Sequence, residues 1–97
     1  MAKVIWSDHA LDDIEQISAY ISKDSPDRAA LFVGRLIDAT DSLQEFQYSG
    51  REIPEVGNVA YREVIYGAYR VMYKVEGENV LILAVVHSAR EWKSDVL

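Results

Sequence analysis

The sequence predicts an α+β fold in which two antiparallel helices pack on one face of a small twisted antiparallel sheet, in the order β-α-α-β-β-β. Three observations carry this. Tyr61 to Glu91 reads as three consecutive strands, with Tyr61–Tyr66 and Tyr69–Val75 rich in β-branched and aromatic residues and separated only by Gly67-Ala68. Between Asp8 and Phe46, apolar residues recur at helical spacing on two segments, neither of them apolar all round. Ahead of them, Lys3-Val4-Ile5-Trp6 forms a short apolar strand at an edge of the sheet.

Taken in order, that first strand stops at Ser7-Asp8, where either side chain can cap a helix by accepting a bond from an unpaired N–H. Asp8, Asp12 and Asp13 complement the positive end of the helix dipole. Leu11, Ile14, Ile17 or Ser18, and Ile21 then mark the inner face of a helix from about Asp8 to Lys23. Asp24-Ser25-Pro26-Asp27 breaks it and starts another, with Ser25 as cap and Pro26 in the first turn, where a missing N–H costs nothing. The stripe Ala29, Phe32, Val33, Leu36, Thr40, Leu43 and Phe46 carries the second helix toward Ser49-Gly50. Residues 50–60, GREIPEVGNVA, read as an irregular connector.

Glycine first in a two-residue connection suits a type II′ turn. It sets Tyr66 opposite Tyr69, Val64 opposite Val71 and Arg62 opposite Tyr73, with Ile65–Arg70 and Glu63–Met72 on the other side. A second turn at Glu76-Gly77-Glu78-Asn79 leads into Val80–His87, which is apolar on both faces and belongs in the best-covered part of the sheet. Alternation places Val64, Tyr66, Tyr69, Val71, Tyr73, Val75, Val80, Ile82, Ala84 and Val86 on the core face, with Arg62 at its margin. Glu63, Ile65, Arg70, Met72, Lys74, Leu81, Leu83, Val85 and His87 fall on the other. That mixture of charge and apolar surface is the expected binding face. In this register Arg70 lies opposite Val85, and His87 stands two residues further on the same face, within reach of one ligand.

The 97 residues suffice for one domain, residues 1–97, with a single modest core. No cysteine is present, which excludes disulfides and zinc-thiolate sites and suits a cytoplasmic location. The N-terminus turns acidic too soon for a signal peptide, and no apolar run approaches the ~20 residues of a membrane span. A formal net charge of −6 argues against broad attraction to nucleic acid. No glycine-rich phosphate loop, metal-ligand spacing or nucleophile motif occurs, so no cofactor and no metal are expected.

The element order, the hairpin REVIYGAYRVMYKVEG and the ending VVHSARE resemble the RelE/ParE toxin superfamily of toxin–antitoxin modules across nearly the whole chain. The resemblance implies a type II toxin held inactive by a cognate antitoxin in a toxin–antitoxin hetero-oligomer. It admits two activities: RelE-like members cut mRNA on the ribosome, whereas ParE-like members poison DNA gyrase and are not nucleases. The ending His87-Ser88-Ala89-Arg90-Glu91 looks more like the ParE-like and plasmid-stabilisation members. A degenerate member that only binds antitoxin is a third reading.

Cleaving RNA at a 2′-hydroxyl needs cations around the phosphate and a proton carrier. The resemblance makes Arg70 the phosphate candidate and His87 the proton carrier, both catalytic only if the protein is a nuclease. Arg70 has a structural alternative, a salt bridge to Glu63 or Glu91. For His87 the alternative is a half-buried residue at a strand end. Arg51, Arg62, Arg90 and Trp92 are the candidates for target or phosphate binding. Arg51 and Arg62 would reach the same side only if the connector folds back. His9 reads as surface. Antitoxin contacts are expected on the outer sides of the helices and the edge near Arg62, or alternatively at Met72, Leu81 and Leu83.

Overall fold

A computed structural model describes residues 1–88. Its elements are β1 (Lys3–Trp6), α1 (Asp8–Ser22), α2 (Pro26–Asp41), a short 3-10 turn (Ser42–Gln44), β2 (Arg51–Glu52), β3 (Tyr61–Tyr66), β4 (Tyr69–Glu76) and β5 (Asn79–His87). The sheet order is β1-β5-β4-β3-β2. The two helices and the mostly antiparallel sheet match the expected fold class, with two differences in the sheet. β1 pairs with β5 in parallel, from Lys3 opposite Asn79 to Trp6 opposite Ile82. The connector also supplies a strand of its own, since β2 pairs antiparallel with β3 through Arg51–Glu63 and Glu52–Arg62.

The caps act as the sequence suggests. Ser7 Oγ accepts from Ala10 N at 3.1 Å and Ser25 Oγ from Arg28 N at 3.2 Å, each meeting one orphan donor of a helix start. The predicted apolar stripes need trimming at their ends. Ala10 rather than Leu11 is buried on α1, and Leu11 stays 51% exposed. The α-helix of α2 stops at Asp41, so Leu43 enters the core from the 3-10 turn while Phe46 is 62% exposed.

The β3–β4 hairpin has the expected register at every pair. Gly67 and Gly77 carry φ of +56° and +58°, and among the described residues positive φ is confined to glycine, as type II′ turns require. β5 departs from expectation halfway along. Tyr73 pairs with Ile82 but Met72 pairs with Ala84, so a bulge at Leu83 takes one residue out of register. Beyond it the faces exchange. Val85 joins the helix-side core with Val71, Tyr73, Val80 and Ile82, while Ala84 and Val86 move to the opposite face beside Met72 and Leu83. The start of α1 holds the bulge in place: Ser7 Oγ donates to the Leu83 carbonyl at 3.2 Å, and the Asp13 carboxylate accepts from Val85 N at 2.9 Å.

The opposite face is not an open binding surface. Ile53 and Val56 of the connector lie over Met72, Leu83 and Ala84, making a second small core, and Met72 and Leu83 are buried. The connector is fastened at Gly50, whose N–H donates to the Tyr73 hydroxyl at 2.9 Å. A Cβ there would lie 2.5 Å from the Glu63 carbonyl oxygen, so the close approach requires glycine.

Two outcomes follow. Ile82→Ala should cost about 2–5 kcal/mol by chemical denaturation, since the side chain is fully buried and its loss leaves a cavity; Leu11→Ala should change stability by less than about 0.5 kcal/mol. Burial raises the Tyr73 hydroxyl pKa above its ordinary 10.0. A raised pKa gives stability that is complete below the unfolded value and lost as pH rises through the folded one. The thermal midpoint should therefore fall above about pH 10, and Tyr73→Phe should flatten that fall while costing about 1–3 kcal/mol at neutral pH through the stranded Gly50 N–H.

Candidate functional site

Strand register brings the charged residues of the second half together. Glu63 and Arg70 stand diagonally across β3 and β4 on the face away from the helices, and β2 sets Arg51 opposite Glu63. The turn after β2 carries Glu55 back over the same spot. Arg70 Nε donates to Glu63 Oε1 at 2.7 Å, while its two terminal nitrogens donate to Glu55 Oε2 and Oε1 at 2.8 Å each. Arg51 Nε donates to Glu63 Oε2 at 2.5 Å. Glu63 is fully buried and the Arg70 side chain is 7% exposed.

Two guanidiniums and two carboxylates leave these four residues with no net charge. Hydrogen bonding to Glu55, and then to Glu63, raises the Arg70 pKa above its ordinary value against the opposing effect of burial. Arg70 therefore presents neither exposed charge nor a vacant fork. The predicted salt bridge to Glu63 is present, and Glu55 is a partner that sequence spacing could not identify. Its signal was the fold-back of the connector, left open in the sequence.

Arg62 is likewise occupied with structure. It donates to Val59 O at 2.8 Å and Gly50 O at 3.1 Å, and its guanidinium lies 5.1 Å from the centre of the Tyr48 ring. Such stacking over an aromatic face adds attraction to the packing of the stem.

His87 is not beside Arg70. The bulge sets Arg70 opposite Val86 and puts His87 opposite Tyr69, against whose ring it stands edge-on at 5.6 Å between centroids. The two side chains project from opposite faces, so the expected shared ligand site does not form. His87 instead lines a cleft of about 240 Å³ with Asp13, Gln16 and Tyr20 of α1 and with Tyr69. Asp13, read from sequence only as a complement to the helix dipole, is the polar anchor of this cleft. His9 is on the surface as expected, its Nε2 3.5 Å from Asp13 Oδ2. Arg90, Trp92 and Glu91 lie outside the described residues. Among the described residues, no group of three or more His, Asp or Glu could hold a metal ion, and no helix is long and apolar enough to cross a membrane.

Arg70→Ala should lower unfolding stability by about 3–5 kcal/mol in urea titrations, because it takes the guanidinium away from the buried Glu63 carboxylate. An unchanged midpoint would mean that the network adds nothing.

The sequence model of the family described as ParE toxin of type II toxin-antitoxin system, parDE, matches residues 4–92. The chain is 36% identical over 93 residues to the Sinorhizobium fredii protein named "Putative toxin Y4kP", covering 93% of this chain and 92% of that one. It is also 36% identical over 91 residues to Toxin RelE2 of Caulobacter vibrioides, covering 93% and 99%. Among solved structures, the fold is similar to a chain of the chromosomal ParDE system from P. aeruginosa, with a TM-score of 0.73 and 20% identity over 90% of this chain and 96% of that one. It is also similar to a chain of the RelBE2 toxin–antitoxin complex from Mycobacterium tuberculosis, with a TM-score of 0.58 and 18% identity over 89% and 96%. With a family match across most of its length and relatives above one-third identity, the chain belongs to the ParE toxin family of type II toxin–antitoxin systems, within the RelE/ParE superfamily.

Proposed function

We propose that this toxin acts by inhibiting DNA gyrase, without chemistry of its own, and is neutralised by a cognate antitoxin in the cytoplasm. The observation that carries the reading is the state of Arg70. A ribonuclease needs an available cation where phosphate charge develops, and here that guanidinium is 7% exposed and bonded to two carboxylates. Its intended proton carrier, His87, projects from the other face of the sheet. The net charge of −6 opposes a long RNA footprint. The ParE family match adds to this side.

Ribosome-dependent mRNA cleavage is the rival reading, favoured by the similarity to Toxin RelE2. An antitoxin partner is supported by the toxin–antitoxin systems named for the similar structures and by apolar residues left outside the core. Leu11 at 51%, Tyr20 at 69%, Leu31 at 52% and Ile37 at 41% exposure lie on the helices, where an antitoxin segment that folds on binding would bury them. Of the alternative contact, Met72 and Leu83 are buried with Ile53 of the connector, and Leu81 is partly buried against the same cluster.

The test is to induce the protein without antitoxin and follow plasmid supercoiling, DNA-damage signalling and mRNA integrity on translating ribosomes. Gyrase inhibition predicts altered supercoiling with intact mRNA, and toxicity that survives His87→Ala. Damage should concentrate in the contact candidates Arg90 and Trp92. Cut mRNA with undisturbed supercoiling would reverse the assignment, and the absence of any growth effect would leave antitoxin binding as the retained function.

A further inference from the structure

The two edges of the sheet are finished differently. At one, β2 is only two residues long, and the connector after it carries Pro54 and packs back on the outer face through Ile53 and Val56. At the other, the strand order ends with β1, and among the described residues no strand lies along its outer side. The N–H groups of Lys3 and Ser7 donate to Glu78 O and Ile82 O, so the odd-numbered residues of β1 bond toward β5. Alternation then turns the N–H and C=O groups of Val4 and Trp6 outward. Unpaired groups of this kind on an apolar strand are a template for another strand.

The ends of this edge limit how a partner can lie on it. Ala2 N, which shares the outward direction, donates to Gln44 O at 2.7 Å, so the 3-10 turn closes the edge there. At the far end the strand stops at Trp6 and α1 begins at Asp8. The open window is Val4–Trp6, centred on Ile5. Its side chains suit a copy of the same strand. Val4 and Trp6 pack on the helix-side core, which leaves Ile5, 39% exposed, on the face away from the helices. An antiparallel pairing about a two-fold axis at Ile5 sets Ile5 against Ile5, and Lys3 of each copy opposite Ser7 and beside Asp8 of the other. Lysine on an edge strand ordinarily deters pairing. In this arrangement it meets an opposite charge.

We propose that β1 is a self-association edge, on which a second copy of the chain pairs its own β1 antiparallel and joins the two sheets. Val4 N–H and C=O then bond to Trp6 of the other copy, and the axis repeats the exchange. So short a ladder falls well under the ~1,200 Å² of a stable interface, and the net charge of −6 on each copy opposes it, so the dimer is weak and forms only at high concentration. The contact uses backbone at the sheet edge, apart from the helix surfaces assigned above to the antitoxin, and does not depend on which target the toxin has.

The experiment is disulfide trapping in the full chain, which has no cysteine of its own. Residues paired across the axis have Cα atoms about 4.5–5.5 Å apart, within reach of a disulfide, whereas the two Lys3 residues lie about 14 Å apart along the paired strands and cannot be bridged. Under a mild thiol oxidant, Ile5→Cys should therefore form covalent dimer at least about tenfold faster than Lys3→Cys or the helix-surface control Leu31→Cys. Adding Val4→Pro, which removes an outward donor and leaves the bonds to β5, should abolish the excess. Lys3→Glu, which sets like charges side by side, should reduce it and serves if the proline variant does not fold. Sedimentation of the wild type from micromolar to millimolar concentration should shift from monomer toward dimer, and Lys3→Glu should weaken the shift. A wild type that stays monomeric throughout overturns the proposal. So does equal cross-linking at all three positions, or an excess at Ile5→Cys that persists undiminished in folded protein carrying Val4→Pro or Lys3→Glu.

Discussion

The Glu63 carboxylate, fully buried between Arg51 and Arg70, is the constraint on which the sheet's outer face depends. A carboxylate without solvent must be matched by charge and hydrogen bonds. Here the matching groups come from two places, the neighbouring strand β4 and the connector. Satisfying Glu63 therefore draws the connector down, and with it Ile53 and Val56, which close over Met72, Leu83 and Ala84. One buried charge and one apolar lid thus specify the same arrangement. A surface that alternation alone would leave open becomes a second small core.

Much of the fold was legible because its local signals agreed. Gly67 fixed the hairpin turn, the turn fixed the register, and the register fixed which residues of β3 and β4 face the helices. Ser7 and Ser25 announced the helix starts through their capping chemistry. The β5 bulge was not legible, because Leu81 to Val86 is apolar whichever way each residue points and alternation carries no information there. It is set by contacts to Ser7 and Asp13, more than seventy positions away in sequence. That single displaced residue also separated His87 from Arg70. The candidate site was consequently correct in Arg70's bond to Glu63 and wrong in its joining of the two sheet ends. The parallel pairing of β1 was hidden for a similar reason, since four apolar-edged residues fit either direction.

The arrangement of charge frames how such a protein can act. Arg51, Arg62 and Arg70 gather in one region, as a phosphate-binding surface would need, yet each is engaged by a carboxylate, a carbonyl or an aromatic ring of the chain itself. Positive residues here hold the connector in shape. What the surface offers outward is apolar area on the helices, and contact surfaces of that kind serve protein recognition better than polyanion binding.

The parallel pairing of β1 with β5 has a consequence for the protein's synthesis. Lys3 pairs with Asn79, and Ser7 reaches Leu83 across 76 residues, so β1 has no sheet partner until β5 is made. Contacts of such long range are gained late, after the loop between them has been closed. The emerging chain can form its helices and its hairpin early, but β1, the bulge and the cleft beside it wait until β5 has been made. A toxin so connected is structurally incomplete on its own ribosome until the strand from Asn79 to His87 has emerged.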